Sequence, residues 1–295
     1  MNEIVYVTGS DGNRMLNTGI LLDSFQQFMP DEKLHICDFG FDERERGIWQ
    51  ALGVLRPVPN SLFGHTHPWS RKASLIDYFD DRDGATLVWL DADMLLLGSI
   101  HERVQETASE MQRDNIPAAA CPDASGRTVA GFIQDFSAVG ADVGPFSDLV
   151  QKHGTDITAP YMNTGFFILG DMAFARLWRD EVLAGREWLL FEQNTFNALA
   201  GQKLLLDAEI WNVHGDLLAD ISISEEQAPL ILHATSEQQR HHIENEIRYP
   251  IGDQVLPGWF KMFERPDLRQ LQQDHLVSFL RQNLTLIEKC GLLVK

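Results

Sequence analysis

Two hydrophobic rhythms alternate along the first hundred positions of the chain. Short runs dense in apolar and β-branched residues, EIVYVT at 3–8, KLHICDF at 33–39 and TLVWL at 86–90, read as strands. Between them apolar residues recur at helical spacing, through Leu16, Ile20, Phe25 and Phe28 in the stretch 15–28 and again in 42–52 and 71–79. Strands that alternate with helices predict right-handed βαβ units and a largely parallel sheet. The same rhythm predicts a helix from Ile100 to Asn115, a strand over 117–121, a small-residue loop over 124–131 that would serve as a mobile lid, and a buried strand within 161–170. It continues with helices over 172–183 and 191–199, a strand within 202–213 and a late strand over 230–234. Residues 267–290 carry one apolar stripe, Leu268, Leu271, Leu276, Phe279, Leu280, Leu284 and Ile287, which reads as one or two amphipathic helices packed on the main domain. The predicted organisation is a domain over 1–250 and a C-terminal helical extension over 251–295.

The 86–90 run is set apart by what ends it. Asp91 and Asp93 follow it directly, and apolar residues resume at Met94 to Leu97. A continuous apolar run suits a strand covered on both faces, where two ionised carboxylates are costly unless a cation compensates them. Hard oxygen ligands held on a rigid strand end suit Mg²⁺ or Mn²⁺ carrying a diphosphate, which is the requirement of a nucleotide-sugar site. A second D-x-D, Asp81-Arg82-Asp83, lies between Tyr78 and Gly84 and reads as a solvated turn. Ligands of parallel α/β sheets bind beyond the carboxyl ends of strands, so 9–13 and 91–93 can face one crevice.

Composition narrows the partners. With 43 acidic and 24 basic residues the net charge is −19, which argues against nucleic acid and against docking on anionic lipid by a broad basic patch. Anion binding must then fall to a metal with a local basic cluster. An apolar fraction of 44% with 17 Phe and 7 Trp excludes a disordered chain. Cys37, Cys121 and Cys290 form no metal or disulfide pattern, and no signal-like or membrane-spanning apolar run is present, so the expected protein is soluble and cytoplasmic with reduced thiols.

Four segments, in order, resemble a known family: Trp89-Leu90-Asp91-Ala92-Asp93, Met162-Asn163-Thr164-Gly165-Phe166-Phe167, Glu192-Gln193-Asn194, and Ile231-Leu232-His233. They resemble the GT-A glycosyltransferases, above all the family 8 type of retaining galactosyl- and glucosyltransferases, over residues 4 to 240. Ser10-Asp11-Gly12-Asn13 is similar to that family's nucleotide loop. The resemblance implies a GT-A (Rossmann-like) α/β fold, a mostly parallel central sheet flanked by helices. It implies transfer of a sugar, with retention, from a nucleoside-diphosphate donor, UDP-linked in preference to GDP-linked. The acceptor stays open among saccharide, lipid-linked glycan, protein and small molecule. Asp91, Asp93 and His233 would hold Mn²⁺ or Mg²⁺, with Asp91 and Ala92 also against the nucleotide. Thr8, Gly9, Asp11 and Asn13 would line the nucleoside, and Arg71 and Lys72 would contact phosphate or sugar. Asn163 and Gly165 would face the sugar, with Glu192 and Gln193 beside the reacting carbon.

The chain departs from the family at three points. Glu192 stands where Asp is usual, Arg14 replaces the aromatic residue of the nucleotide loop, and residues 233–242 replace the usual His-x-x-Gly-x-x-Lys-Pro-Trp. The phosphate-binding lysine is thereby lost, and Arg240 or His241 would substitute. Other classes stay open. A haloacid-dehalogenase-type phosphatase also places D-x-D after an apolar strand, although Met94 stands where it wants Thr or Val. A sugar nucleotidyltransferase shares the general architecture but lacks its second glycine here, and an inactive sugar-binding scaffold fits departures at phosphate contacts.

Overall fold

A computed structural model describes residues 3–62, 68–80, 82, 84–123, 126–185, 190–199, 201–213, 229–234, 245–251 and 253–294, with backbone alone at 68–70, 245–249, 257, 259 and 260. Its strands are β1 (Ile4–Ser10), β2 (Leu34–Asp38), β3 (Leu55–Arg56), β4 (Thr86–Leu90), β5 (Met94–Leu96), β6 (Ala118–Pro122), β7 (Met162–Leu169), β8 (Lys203–Leu205), β9 (Ile231–His233), β10 (Asn245–Ile251) and β11 (Gln254–Phe260). The architecture is mixed α/β with a mostly parallel sheet of order β3-β2-β1-β4-β7-β6-β8, as the strand–helix alternation predicts. β6 runs antiparallel to β7.

Several elements fall where the pattern puts them. The helix Met15–Phe28 and strand Thr86–Leu90 match, and the C-terminal stripe forms one helix, Pro266–Lys289. Three expectations need correction. The helix expected over 71–79 is two short pieces, Pro68–Ala73 and Leu75–Tyr78, separated at Ser74. The loop expected over 124–131 gives way to a helix at Val129, because the Thr128 side chain accepts from Gly131 N and caps Val129–Ala138. The hairpin β10–β11 lies in a stretch the pattern left empty, where Pro250, Pro257 and Gly258 weaken any strand signal. Asp81 and Asp83 lie outside the described residues.

The chain comprises two compact units. One holds Met1–Ile4, Pro59–Trp89 and Glu102–Ala208. Its core stacks Trp89 on Phe167 at 6.0 Å between ring centroids, with Trp178 and Phe196 edge-on to one another. A second aromatic group there joins Phe132, Phe146 and Tyr161.

The other unit holds Val5–Val58, Leu90–His101 and Glu209–Lys295. In it β1, β2 and β3 pair in parallel, while β5 pairs antiparallel with β9, Met94 opposite His233. The Met15–Phe28 helix is buried from Met15 to Phe25 on all faces, which a surface helix with one apolar stripe would not be. Its covering comes from β11 and the Pro266–Lys289 helix: a Cβ at Gly19 would fall 2.6 Å from the Phe279 ring, and one at Gly258 2.9 Å from Leu16.

Candidate metal and nucleotide site

Leu90 is the last residue of a strand buried at every position, and the chain turns at once, Met94 N donating to Asp91 O at 3.0 Å. The antiparallel ladder of β5 with β9 then carries His233 to the turn from 140 positions downstream, and Ala234 N closes it by donating to Asp93 O at 3.0 Å. The result is a cluster of three ligand atoms within 4.8 Å of one another, from Asp91, Asp93 and His233. His233 Nε2 lies 3.1 Å from Asp93 Oδ1 and 3.7 Å from Asp91 Oδ2. Asp93 and His233 are buried and Asp91 is half-buried.

The opposite imidazole nitrogen, Nδ1, is 2.9 Å from Asn212 Oδ1. A carbonyl oxygen there accepts, so Nδ1 carries the proton, and in the neutral ring Nε2 presents a lone pair to two carboxylates. Lone pair against carboxylate repels. The arrangement therefore calls for positive charge between them, a proton on Nε2 or a divalent ion, and a set of two carboxylate oxygens and one imidazole nitrogen fits Mn²⁺ or Mg²⁺. Part of that charge is present already: Lys261 Nζ is 2.5 Å from Asp93 Oδ2. Burial by itself would raise the Asp93 pKa, but the Lys261 ammonium and then His233 outweigh it and hold the carboxyl well below the ordinary range. Asn212 and Lys261 escape a reading of the sequence, since neither sits in a motif.

The predicted nucleoside loop belongs to the same unit. Thr8 is fully buried and its Oγ1 has no hydrogen-bond partner, nor has Asp11 Oδ1. Buried polar atoms without partners are rare and ask for a ligand or ordered water. Gly9 has a packing reason of its own, because a Cβ there would fall 2.3 Å from the Phe39 ring. Asn13 is exposed, and Ala92 is buried in the turn.

The residues predicted to meet the sugar lie in the first unit described. Lys72 is buried, its ammonium 5.4 Å from the centroid of the Trp89 ring, and Arg71 is half-buried. Asn163 folds its Oδ1 onto Gly165 N at 2.7 Å. Glu192 and Gln193 open the Phe191–Ala198 helix, every residue of which is buried. Leu190, which precedes that helix, takes a left-handed conformation with φ 45°, a strained choice for a residue with a side chain. Gln193 Oε1 accepts from Thr164 N at 3.1 Å and Gln193 Nε2 donates to the Tyr161 hydroxyl at 3.2 Å, which in turn donates to Asn194 Oδ1 at 2.6 Å. Asn197 pairs with both backbone groups of Met162. These amides fasten the helix to the start of β7. Arg240 and His241 lie outside the described residues.

No family model and no curated protein matches this sequence. Solved structures do. The bifunctional glycosyltransferase WbbM superposes with a TM-score of 0.56 at 16% identity, covering 79% of this chain and 45% of that one. An active-site mutant of LgtC gives 0.52 at 17%, covering 78% of this chain and 86% of LgtC. The apo form of the glycosyltransferase GlyE from Streptococcus pneumoniae TIGR4 gives 0.53 at 14%, covering 97% of this chain and 63% of GlyE. The chain thus spans less than half of WbbM and under two thirds of GlyE. The likeness is one of fold, and the fold is that of GT-A glycosyltransferases.

Proposed function

We propose that the chain is a glycosyltransferase that takes a nucleoside-diphosphate sugar, UDP-linked, and transfers the sugar with retention in a reaction that depends on Mn²⁺ or Mg²⁺. One observation carries this reading: two carboxylates and an imidazole converge at a strand end, with an electrostatic demand for a cation, on a fold seen in glycosyltransferases. LgtC has been solved with donor and acceptor sugar analogues, which supports a two-substrate site for this chain as well. Asp91, Asp93 and His233 would hold the ion, which when bound supplies Lewis-acid assistance to departure of the nucleoside diphosphate. Thr8 Oγ1 and Asp11 Oδ1 have unused capacity for the nucleoside. Asn163, Gly165, Glu192 and Gln193 would receive the sugar, Glu192 as the carboxylate that steadies positive charge at the reacting carbon. Arg71, Lys72 and, beyond the described residues, Arg240 would share the phosphates. Residues 1–250 would form the transferase domain and 251–295 its extension, in a cytoplasmic enzyme whose three cysteines are free.

The test is donor hydrolysis and donor binding with and without Mn²⁺, in the parent protein and in Asp93→Asn. Manganese-dependent release of UDP from a UDP-sugar is expected, reduced about a hundredfold or more in the variant, since removing one metal ligand or its orienting partner costs on this order. Activity that survives the substitution within a few-fold would remove Asp93 from the site. Hydrolysis of simple phosphoesters, or pyrophosphate-dependent exchange, would move the assignment to a phosphatase or a nucleotidyltransferase.

A further inference from the structure

The acidic cluster carries a cation of its own, and that cation is built in. Lys261 Nζ binds Asp93 Oδ2 at 2.5 Å, the carboxylate oxygen opposite the one that faces His233 Nε2. The lysine does not reach the site by chance. Asn17 Oδ1 accepts from Lys261 N at 2.9 Å and Asn17 Nδ2 donates to Lys261 O at 3.0 Å. Gln272 Nε2 donates to the same carbonyl at 3.2 Å, and Gln272 Oε1 accepts from Phe263 N at 2.8 Å. Asn17 and Gln272 are each 1% exposed. Two buried amides, one from the Met15–Phe28 helix and one from the Pro266–Lys289 helix, are thus committed to the main chain of 261–263.

We propose that Lys261 makes metal loading conditional on the nucleoside diphosphate. The inference rests on the metal reading above and concerns the order in which that site fills. Two carboxylates alone would present two negative charges to a divalent ion; with the ammonium on Asp93 they present one. Asp93 Oδ1 remains available while Oδ2 stays with Lys261, so the ion can enter without expelling the lysine, but it enters against a like charge a few ångströms away. Once the ion is in place the cluster carries net positive charge, where without the lysine it would be neutral. That excess is what a diphosphate answers. Lys261 therefore weakens the bare ion, favours the ion together with the polyanion, and ties the two bindings by reciprocal coupling.

The experiment measures Mn²⁺ affinity by the electron paramagnetic resonance signal of free Mn²⁺, with and without UDP and corrected for Mn²⁺ bound to UDP in solution. It compares the parent protein, Lys261→Met and Lys261→Arg. In the parent protein UDP is expected to tighten Mn²⁺ by about tenfold or more. Lys261→Met should bind Mn²⁺ alone about tenfold or more tighter than the parent and lose most of the UDP enhancement, because one opposing charge is gone. Lys261→Arg, which keeps the charge, should follow the parent. Lys261→Met that stays folded by circular dichroism and binds Mn²⁺ no tighter overturns the proposal and leaves the lysine a structural role. Should the Met variant fail to fold, the parent protein still decides: equal Mn²⁺ affinity with and without UDP overturns the coupling. Absence of Mn²⁺ binding in all three proteins under both conditions is a different failure, since it removes the metal reading itself.

Discussion

At the scale of single residues, the surroundings of a charge decide what it does. Lys203 and Lys261 are both largely withdrawn from water, with opposite company. Lys261 meets a carboxylate. Lys203 Nζ donates to Leu199 O at 2.8 Å and lies 5.7 and 5.5 Å from the ring centroids of Phe174 and Phe196. Those contacts do not offset its desolvation, and burial lowers its pKa to about 8 from the model-peptide value of 10.5. A folded-state pKa below the unfolded one means that the unfolded chain binds more protons between the two values, so stability rises with pH across that interval. Below about pH 8 the penalty is present in full, and above about 10.5 it vanishes. Lys203→Met, which keeps the stem and drops the charge, should therefore be more stable than the parent at pH 7, with the difference shrinking as pH rises towards 10. Urea unfolding of both proteins at several pH values checks this. A difference that does not change with pH would mean that the lysine binds its proton equally well in the folded and unfolded chains, with no burial penalty.

At the scale of elements, the Pro266–Lys289 helix shows how a legible pattern and an illegible contact combine. Its apolar period is written in the sequence, and the helix forms as one piece. Its fastening is not written there: Asp23 accepts from His275 Nδ1 at 2.7 Å and from Ser278 Oγ at 2.8 Å, and Gly19 admits the Phe279 ring where any Cβ would collide. Alanine normally improves a helix interior over glycine by about 1 kcal/mol, yet overpacking a filled core costs about 1–3 kcal/mol. Gly19→Ala should therefore lower unfolding stability by about 1 kcal/mol net, read from the denaturant midpoint. A gain in stability would show that the ring moves aside freely. The same division runs through the candidate site. Asp91 and Asp93 stand out in the sequence because carboxylates interrupt an apolar strand. His233 by itself is one histidine on an apolar run, legible as a ligand only through the motif order that resembles the family's, and its contact with Asp93 needs the β5–β9 ladder, whose first strand has just three residues. Lys261 was hidden because it follows a hairpin that Pro250 and Pro257 disguise, and an isolated lysine has no pattern. The resemblance puts Glu192 and Gln193 beside the reacting carbon; the buried amide network that holds their helix to β7 depends on long-range packing that periodicity does not encode.

At the scale of the whole molecule, charge is the quantity that the sequence states outright. An excess of 19 acidic residues, 43 against 24, leaves the folded chain repelling itself at neutral pH, and net charge far from zero destabilises the compact state. Local pairs act the other way. Arg179 with Asp77 at 2.7 Å and Lys152 with Glu181 at 2.6 Å gain from attraction, although such partly exposed pairs contribute only about 0–1 kcal/mol each. Salt weakens both effects. Between about 0.01 and 0.15 M ionic strength the screening length falls from roughly 30 to 8 Å, a range that removes repulsion between charges spread over the molecule and leaves contacts under 4 Å mostly intact. The melting temperature should therefore rise by a few degrees over that interval, equally in NaCl and KCl because screening does not distinguish them. The size of the shift follows from the roughly 2–4 °C that about 1 kcal/mol moves the midpoint in larger domains. A melting temperature that stays flat or falls would mean that attraction within pairs outweighs the acidic excess, and that the 24 basic residues are placed to neutralise more than their number suggests.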